Sequence, residues 1–174
     1  WEACELIAEL PRQIDEQSAP LIPKKSAGLR DLVLFAGLIR TCTKARSFEC
    51  RKWEALNDRD YFASGKNRSA PDVVWRAALK AEAAKASGSH AAAVMCDISS
   101  FFQMLRHQEI LDRACDLNIP MPMARMAVRL YRSPRRLKLG TVAAEQAIAP
   151  QRGVAPGCAW ATTMVKVYCL QSFD

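Results

Sequence analysis

Val94-Met95-Cys96-Asp97-Ile98-Ser99-Ser100-Phe101-Phe102 is the stretch on which the reading of this chain turns. Residues 91–96 have the apolar character of a buried strand, and the strand ends on a carboxylate. A strand ending in Asp sets that carboxylate at the edge of a core, where a hard cation can be held beside a substrate phosphate. The peptide carbonyl of Ile98 offers a further oxygen. Taken alone, Asp97 fits better as the cap of the turn that follows a strand.

Upstream, residues 2–17 carry Leu6, Ile7, Leu10 and Ile14 at helical spacing, and residues 17–23 are expected to break that helix. Leu21 to Lys25, the turn Ser26-Ala27-Gly28, and Leu29 to Phe35 predict a basic hairpin. Residues 36–56 return to a helical pattern, and residues 57–68 form a polar loop. Ser69-Ala70-Pro71-Asp72 is a helix start, because Ser can cap and Pro is tolerated in a first turn. The Ala-rich helix beyond it stops at Ser87-Gly88-Ser89.

Downstream, helices are expected over residues 109–117 and from Pro120 to Tyr131, where Ser133-Pro134 stops the second. Residues 135–148 predict a hairpin about Gly140-Thr141, residues 150–157 a glycine-containing loop, and residues 159–170 a last helix. The order predicts one mixed α+β unit, an antiparallel sheet packed on helices.

Half of the 174 residues are hydrophobic and a quarter charged, enough to bury a core and too apolar for a disordered tail. No apolar run approaches the ~20 residues of a bilayer span, so no membrane partner is expected. Residue 1 is Trp, and Asp174 comes directly after a helical pattern; the chain is expected to be a fragment that stops inside a fold. The net charge of +7 is unevenly placed. Residues 20–52 hold eight Lys/Arg against Asp31 and Glu49, and residues 125–152 hold seven against Glu145. Two such regions point to a polyanionic partner, nucleic acid or nucleotide phosphate, or simply to the solvated surface of a basic protein. The seven Cys include no CxxC pair and only two His accompany them, so neither a zinc site nor a disulfide framework is expected. Scattered single Cys fit a reducing compartment within a cell, nucleus or cytoplasm.

A basic hairpin, then an apolar strand ending in Asp with two Phe after it, then a glycine loop entering a helix, is an order that resembles the reverse transcriptases. Leu21-Ile22-Pro23-Lys24-Lys25 with Gly28-Leu29-Arg30 looks like their fingers motif, and residues 62–79 resemble the fingers segment leading into the palm. Residues 96–102 look like palm motif A, and Gln151-Arg152-Gly153-Val154-Ala155-Pro156-Gly157-Cys158 resembles motif B. The similarity covers roughly residues 20–170 and lies nearest the non-LTR retrotransposon and group II intron types.

The resemblance implies the fingers and partial palm of a right-hand polymerase, with residues 1–95 fingers-like and residues 96–174 palm. It implies RNA-directed DNA synthesis, with an RNA or DNA template-primer and deoxynucleoside triphosphates as partners and Mg²⁺ as cofactor. Asp97 and the Ile98 carbonyl would hold the metal. Lys24, or Lys25 in its place, and Arg30 would neutralise the triphosphate. Phe102 would be the steric gate against a ribose 2′-hydroxyl, and Gly153 and Gly157 would let backbone approach the base pair. Arg129, Arg132, Arg135, Arg136 and Lys138 would grip the nucleic-acid backbone, or form a solvated helix end favoured by its dipole. Plainer roles stay open for the rest: a charged sheet edge for the lysines, core for Phe101 and Phe102, turn formation for the glycines.

The chain departs from the family at Asp31, where Pro is common, at Gln103 for Asp, and at Pro156 and Cys158 for Gln and Ser in motif B. No aromatic-x-Asp-Asp motif is present, so the second metal would lack its main ligands. The chain by itself is therefore expected not to catalyse synthesis. The alternatives are a decayed retroelement domain that binds nucleic acid without catalysis, and an unrelated basic interaction module.

Overall fold

A computed structural model describes residues 1–25, 27–59, 61–64, 68–93, 98 and 100–173. The chain forms two compact units, Trp1–Cys50 with Ser100–Asp174, and Arg51–Ser99.

The first unit opens with two short helices, α1 (Glu2–Ile7) and α2 (Arg12–Asp15), where the sequence predicts one helix over residues 2–17. Ala8 takes left-handed geometry at φ 53°, and Pro11 has no N–H to donate and disfavours a helical residue before it. The split turns the apolar periodicity aside: Leu10 is buried, whereas Leu6 and Ile7 are each 69% exposed. Residues 17–23, expected only to end that helix, form the strand β1 (Gln17–Pro23).

The hairpin is present. β1 pairs antiparallel with β2 (Leu29–Asp31), Pro23 facing Leu29, and the Leu34 N–H extends the ladder by donating to Ser18 O at 2.8 Å. The helical stretch expected over residues 36–56 is two helices, α3 (Gly37–Ala45) and α4 (Ser47–Leu56), parted at Arg46.

In the second unit, α5 (Ala70–Ala86) begins at the expected cap. The Ser69 hydroxyl and the Asp72 carboxylate form a reciprocal capping box with Pro71 in the first turn. Arg68 ties the preceding loop together, reaching both carboxylate oxygens of Asp58 at 3.2 and 2.8 Å. Residues 91–93 carry no regular structure; the rest of the expected strand, Val94 to Cys96, and Asp97 itself lie outside the described residues.

Beyond Ser100 the chain builds the core of the first unit. A single turn, α6 (Phe101–Met104), leads to α7 (His107–Asp116), α8 (Met121–Arg132), the hairpin β3 (Arg135–Leu139) and β4 (Val142–Ala143), and finally α9 (Ala161–Phe173). Met123, Ala124, Met126, Ala127, Val128, Leu130 and Tyr131 are all buried, so α8 is covered almost all round, as expected of a central helix. α7 packs on both α8 and α9. Trp160, Met164, Val167 and Leu170 complete the core from the α9 side.

The sheet runs in the order β2-β1-β3-β4, and here the expectation of an antiparallel sheet is corrected. Both hairpins are antiparallel, but they join through β1 and β3 running parallel, Gln17 beside Arg135 and Pro20 beside Lys138. The sheet is mixed, and the fold is α+β. Turn residues and short strands mark each hairpin locally, whereas the contact between hairpins joins distant segments and has no local signature. Among the described residues no helix is long and apolar enough to cross a membrane.

These packing differences have a direct test in urea unfolding. Ile110→Ala, at a fully buried position on α7, is expected to cost about 2–5 kcal/mol. Leu6→Ala, at a position the periodicity places in a core but the structure exposes, is expected to stay within about 0.5 kcal/mol.

Candidate functional site

The centre of the candidate site is a backbone clamp between the segment after Asp97 and the glycine loop. Gly153 N–H donates to Leu105 O and Val154 N–H to Phe102 O, each at 2.7 Å, and Arg106 and Arg152 form a β-bridge. Gly153 has φ +95°, a region costly for any residue with a Cβ. A Cβ there would also lie 3.0 Å from Gln103 Cα and 3.1 and 3.2 Å from the Gln103 and Phe102 carbonyl oxygens. The close approach for which position 153 needs glycine is thus to the chain's own Phe102-Gln103 backbone.

His107 locks the clamp from α7. It is 2% exposed, its Nε2 lies 2.8 Å from Gly153 O, and its Nδ1 accepts from Arg132 Nε at 3.2 Å. A carbonyl can only accept and a guanidinium only donate, so the ring is neutral with its proton on Nε2. Burial lowers its pKa, the Gly153 carbonyl opposes that, and the Arg132 and Arg135 charges add to the lowering. Sequence reading passes over His107, since a lone His suggests a metal only when other ligands accompany it.

Phe102 is half-buried and set edge-on to Phe101, ring centroids 6.1 Å apart, directly on the clamp. Gly157, at φ +98°, lies at the other end of the loop with Val33 O 3.8 Å from where a Cβ would sit, so it needs glycine for backbone conformation and not for space. Together with Gly37, Arg40, Thr41 and Lys44 of α3, Gly157 lines an open cleft of about 480 Å³. Arg40 and Lys44 are one turn apart on the helix, and the sequence pattern marks them only as outward charges.

Lys24 and Arg30 are both exposed on the first hairpin, where Lys24 N–H closes the turn onto Gly28 O at 3.0 Å. Asp31 faces the opposite side of the strand from Arg30 and approaches Arg135 Nη1 at 3.8 Å. Among the described residues, Lys24, Lys25, Arg30, Arg40 and Lys44 have no carboxylate partner.

The second basic region is arranged otherwise. Arg129 binds both oxygens of Asp15 at 2.8 and 2.7 Å and reaches Glu9 at 3.3 Å. That pairing holds the Asp15 carboxyl below its ordinary pKa and raises the guanidinium's. Arg136 grips both oxygens of Glu16 at 2.6 and 2.8 Å, and Arg135 is half-buried with Nη2 on Tyr131 O at 3.1 Å. Arg132 is taken up by His107, which leaves Lys138, among the described residues, as the exposed cation of the five without a direct partner.

The metal expectation rests on Asp97, outside the described residues, and on Ile98, which is exposed. Among the described residues no group of three or more His, Cys, Asp or Glu converges as a metal site. The chain matches no protein-family model and no curated protein.

Two outcomes are expected of the clamp. Gly153→Ala is expected to destabilise by more than the ~1–2 kcal/mol of left-handed strain alone, because the methyl meets backbone, while Gly157→Ala is expected to cost only that strain; urea midpoints compare them. His107 titrates lower in the folded chain than unfolded, so the unfolded state takes up its proton first. Stability is then full above about pH 6.5 and falls as pH drops from there toward the folded value. The unfolding free energy of the wild-type chain is expected to decline across that window, and His107→Gln is expected to flatten the decline.

Proposed function

We propose that this chain is the fingers and front palm of an RNA-directed DNA polymerase of the retroelement type, binding a template-primer and a deoxynucleoside triphosphate. The observation that most supports this is the clamp. The tail of the motif A-like segment meets the motif B-like loop backbone to backbone, Val154 N–H on Phe102 O at 2.7 Å, so two segments picked out separately come together. The cations on the first hairpin and α3 supply positive charge without carboxylates to cancel it, as a polyanionic partner requires.

In this reading Asp97 and the Ile98 carbonyl would hold Mg²⁺, which would neutralise phosphate charge during transfer. Lys24 and Arg30 bind the triphosphate from the hairpin. Phe102, fixed by the Val154 bond to its own carbonyl, sets a flat ring against the sugar. Gly153 and Gly157 fix the loop beside them. The chain contains no paired Asp on a turn, so it binds without completing synthesis.

A second reading is nucleic-acid binding alone, favoured by the lack of a converging ligand set among the described residues. One experiment separates the two. Fluorescence anisotropy of a labelled primer-template is measured with and without Mg²⁺ and the next correct deoxynucleotide. The polymerase reading expects the pair to tighten the complex in wild type and not in Asp97→Ala. No response in wild type, or the same response in both, contradicts it. In either reading Arg40→Gln with Lys44→Gln is expected to lower the magnitude of the salt slope of binding, by up to about 2.

A further inference from the structure

The second unit carries a cleft that the reading above does not use. Val73, Arg76, Ala77 and Lys80 recur along one face of α5 and, with Tyr61 from the preceding loop, line a cleft of about 490 Å³. That volume lies in the range of small-ligand sites. Its lining alternates in character along the helix: apolar Val73 and Ala77 give a floor, while Arg76 and Lys80, one turn apart, place two positive charges beside it. Tyr61 is 43% exposed, yet its ring is braced by Phe62, centroids 4.7 Å apart with the planes at 60°. A braced aromatic surface costs little ordering entropy when a flat partner stacks on it.

We propose that this cleft binds an unpaired nucleotide of single-stranded nucleic acid, the base stacked on Tyr61 above the Val73-Ala77 floor and the backbone phosphate held by Arg76 and Lys80. Arg76 also feels the Asp72 carboxylate one turn before it, and Lys80 one turn after it extends the positive edge along which a phosphate can lie. An aromatic face beside paired cations is the arrangement by which single strands are bound without regard to sequence. A duplex keeps its bases stacked on each other and offers the cleft phosphate alone, so the ring discriminates in favour of single strands. The proposal rests on the nucleic-acid reading for its class of ligand, but not on Asp97 or a metal.

The test is anisotropy of a labelled oligothymidylate of about twelve nucleotides, against a duplex of equal length, with the whole chain and no divalent ion. Tyr61→Ala is expected to weaken single-strand binding about tenfold and to leave duplex binding unchanged, and Tyr61→Phe to retain wild-type affinity. Lys80→Gln is expected to reduce the magnitude of the salt slope for the single strand by roughly 0.7. If Tyr61→Ala loses helical circular dichroism, Tyr61→Leu, apolar but without a π face, is expected to show the same loss of affinity in a folded chain. Single-strand affinity that is absent in wild type, is unmoved by Tyr61→Ala or Tyr61→Leu, or falls equally for duplex overturns the proposal. Asp97→Ala is expected to leave this binding intact, so a failed metal site and a failed stacking cleft give different results.

Discussion

The first unit depends on position 153 having no side chain. With hydrogen there, the loop comes close enough for two 2.7 Å backbone bonds onto residues 102–105 and for the bond from His107 to its carbonyl. Each such bond adds about 1 kcal/mol net, but a buried group left without its partner costs about 1–3 kcal/mol, so these bonds hold or fail together. They also fix the path of the rest of the loop and of the residues beyond it. Val154 and Ala155 go directly into the core, and Trp160 enters it just before α9. The loop's register therefore sets where Gly157 stands and how α9 meets α7.

Charge is sorted by the same unit. Four carboxylates from the first 31 residues face the arginines of α8 and β3, Glu9 and Asp15 on Arg129, Glu16 on Arg136 and Asp31 on Arg135, while the buried Glu5 takes Arg46. A sequence with two basic regions thus folds into a protein in which three arginines of the second meet carboxylates internally, while Lys24, Lys25, Arg30, Arg40 and Lys44 of the first, among the described residues, do not. Ion pairs near the surface add little stability, but they decide which face presents net positive charge. Long-range attraction of a polyanion tracks that face and not the linear charge count.

Much of the architecture is legible in local sequence. The turn residues around Gly28 and Gly140 place both hairpins, and Ser69 with Pro71 and Asp72 places the start of α5. The hidden features depend on partners distant in the chain. The parallel pairing of Gln17–Pro20 with Arg135–Lys138 has no local mark. The helix expected through Leu10 fails because Pro11 overrides apolar spacing. For the site, Phe102 and Gly153 stand out by residue type and order, but their direct contact does not. His107 is invisible in the sequence because its two partners, Gly153 and Arg132, lie 46 and 25 residues away. The fate of the arginines is hidden for the same reason, since Arg129 and Asp15 are 114 residues apart.

The central proposal is that Asp97 is the ligand of a divalent cation. Mn²⁺ titrated into the ¹⁵N-labelled chain reports this directly, because a bound paramagnetic ion broadens nearby amide signals. The account predicts selective broadening of the amides next to Asp97 in the chain at low Mn²⁺, reversed by excess Mg²⁺ and lost in Asp97→Ala. Broadening that spares those amides, or that survives Asp97→Ala unchanged, would contradict it.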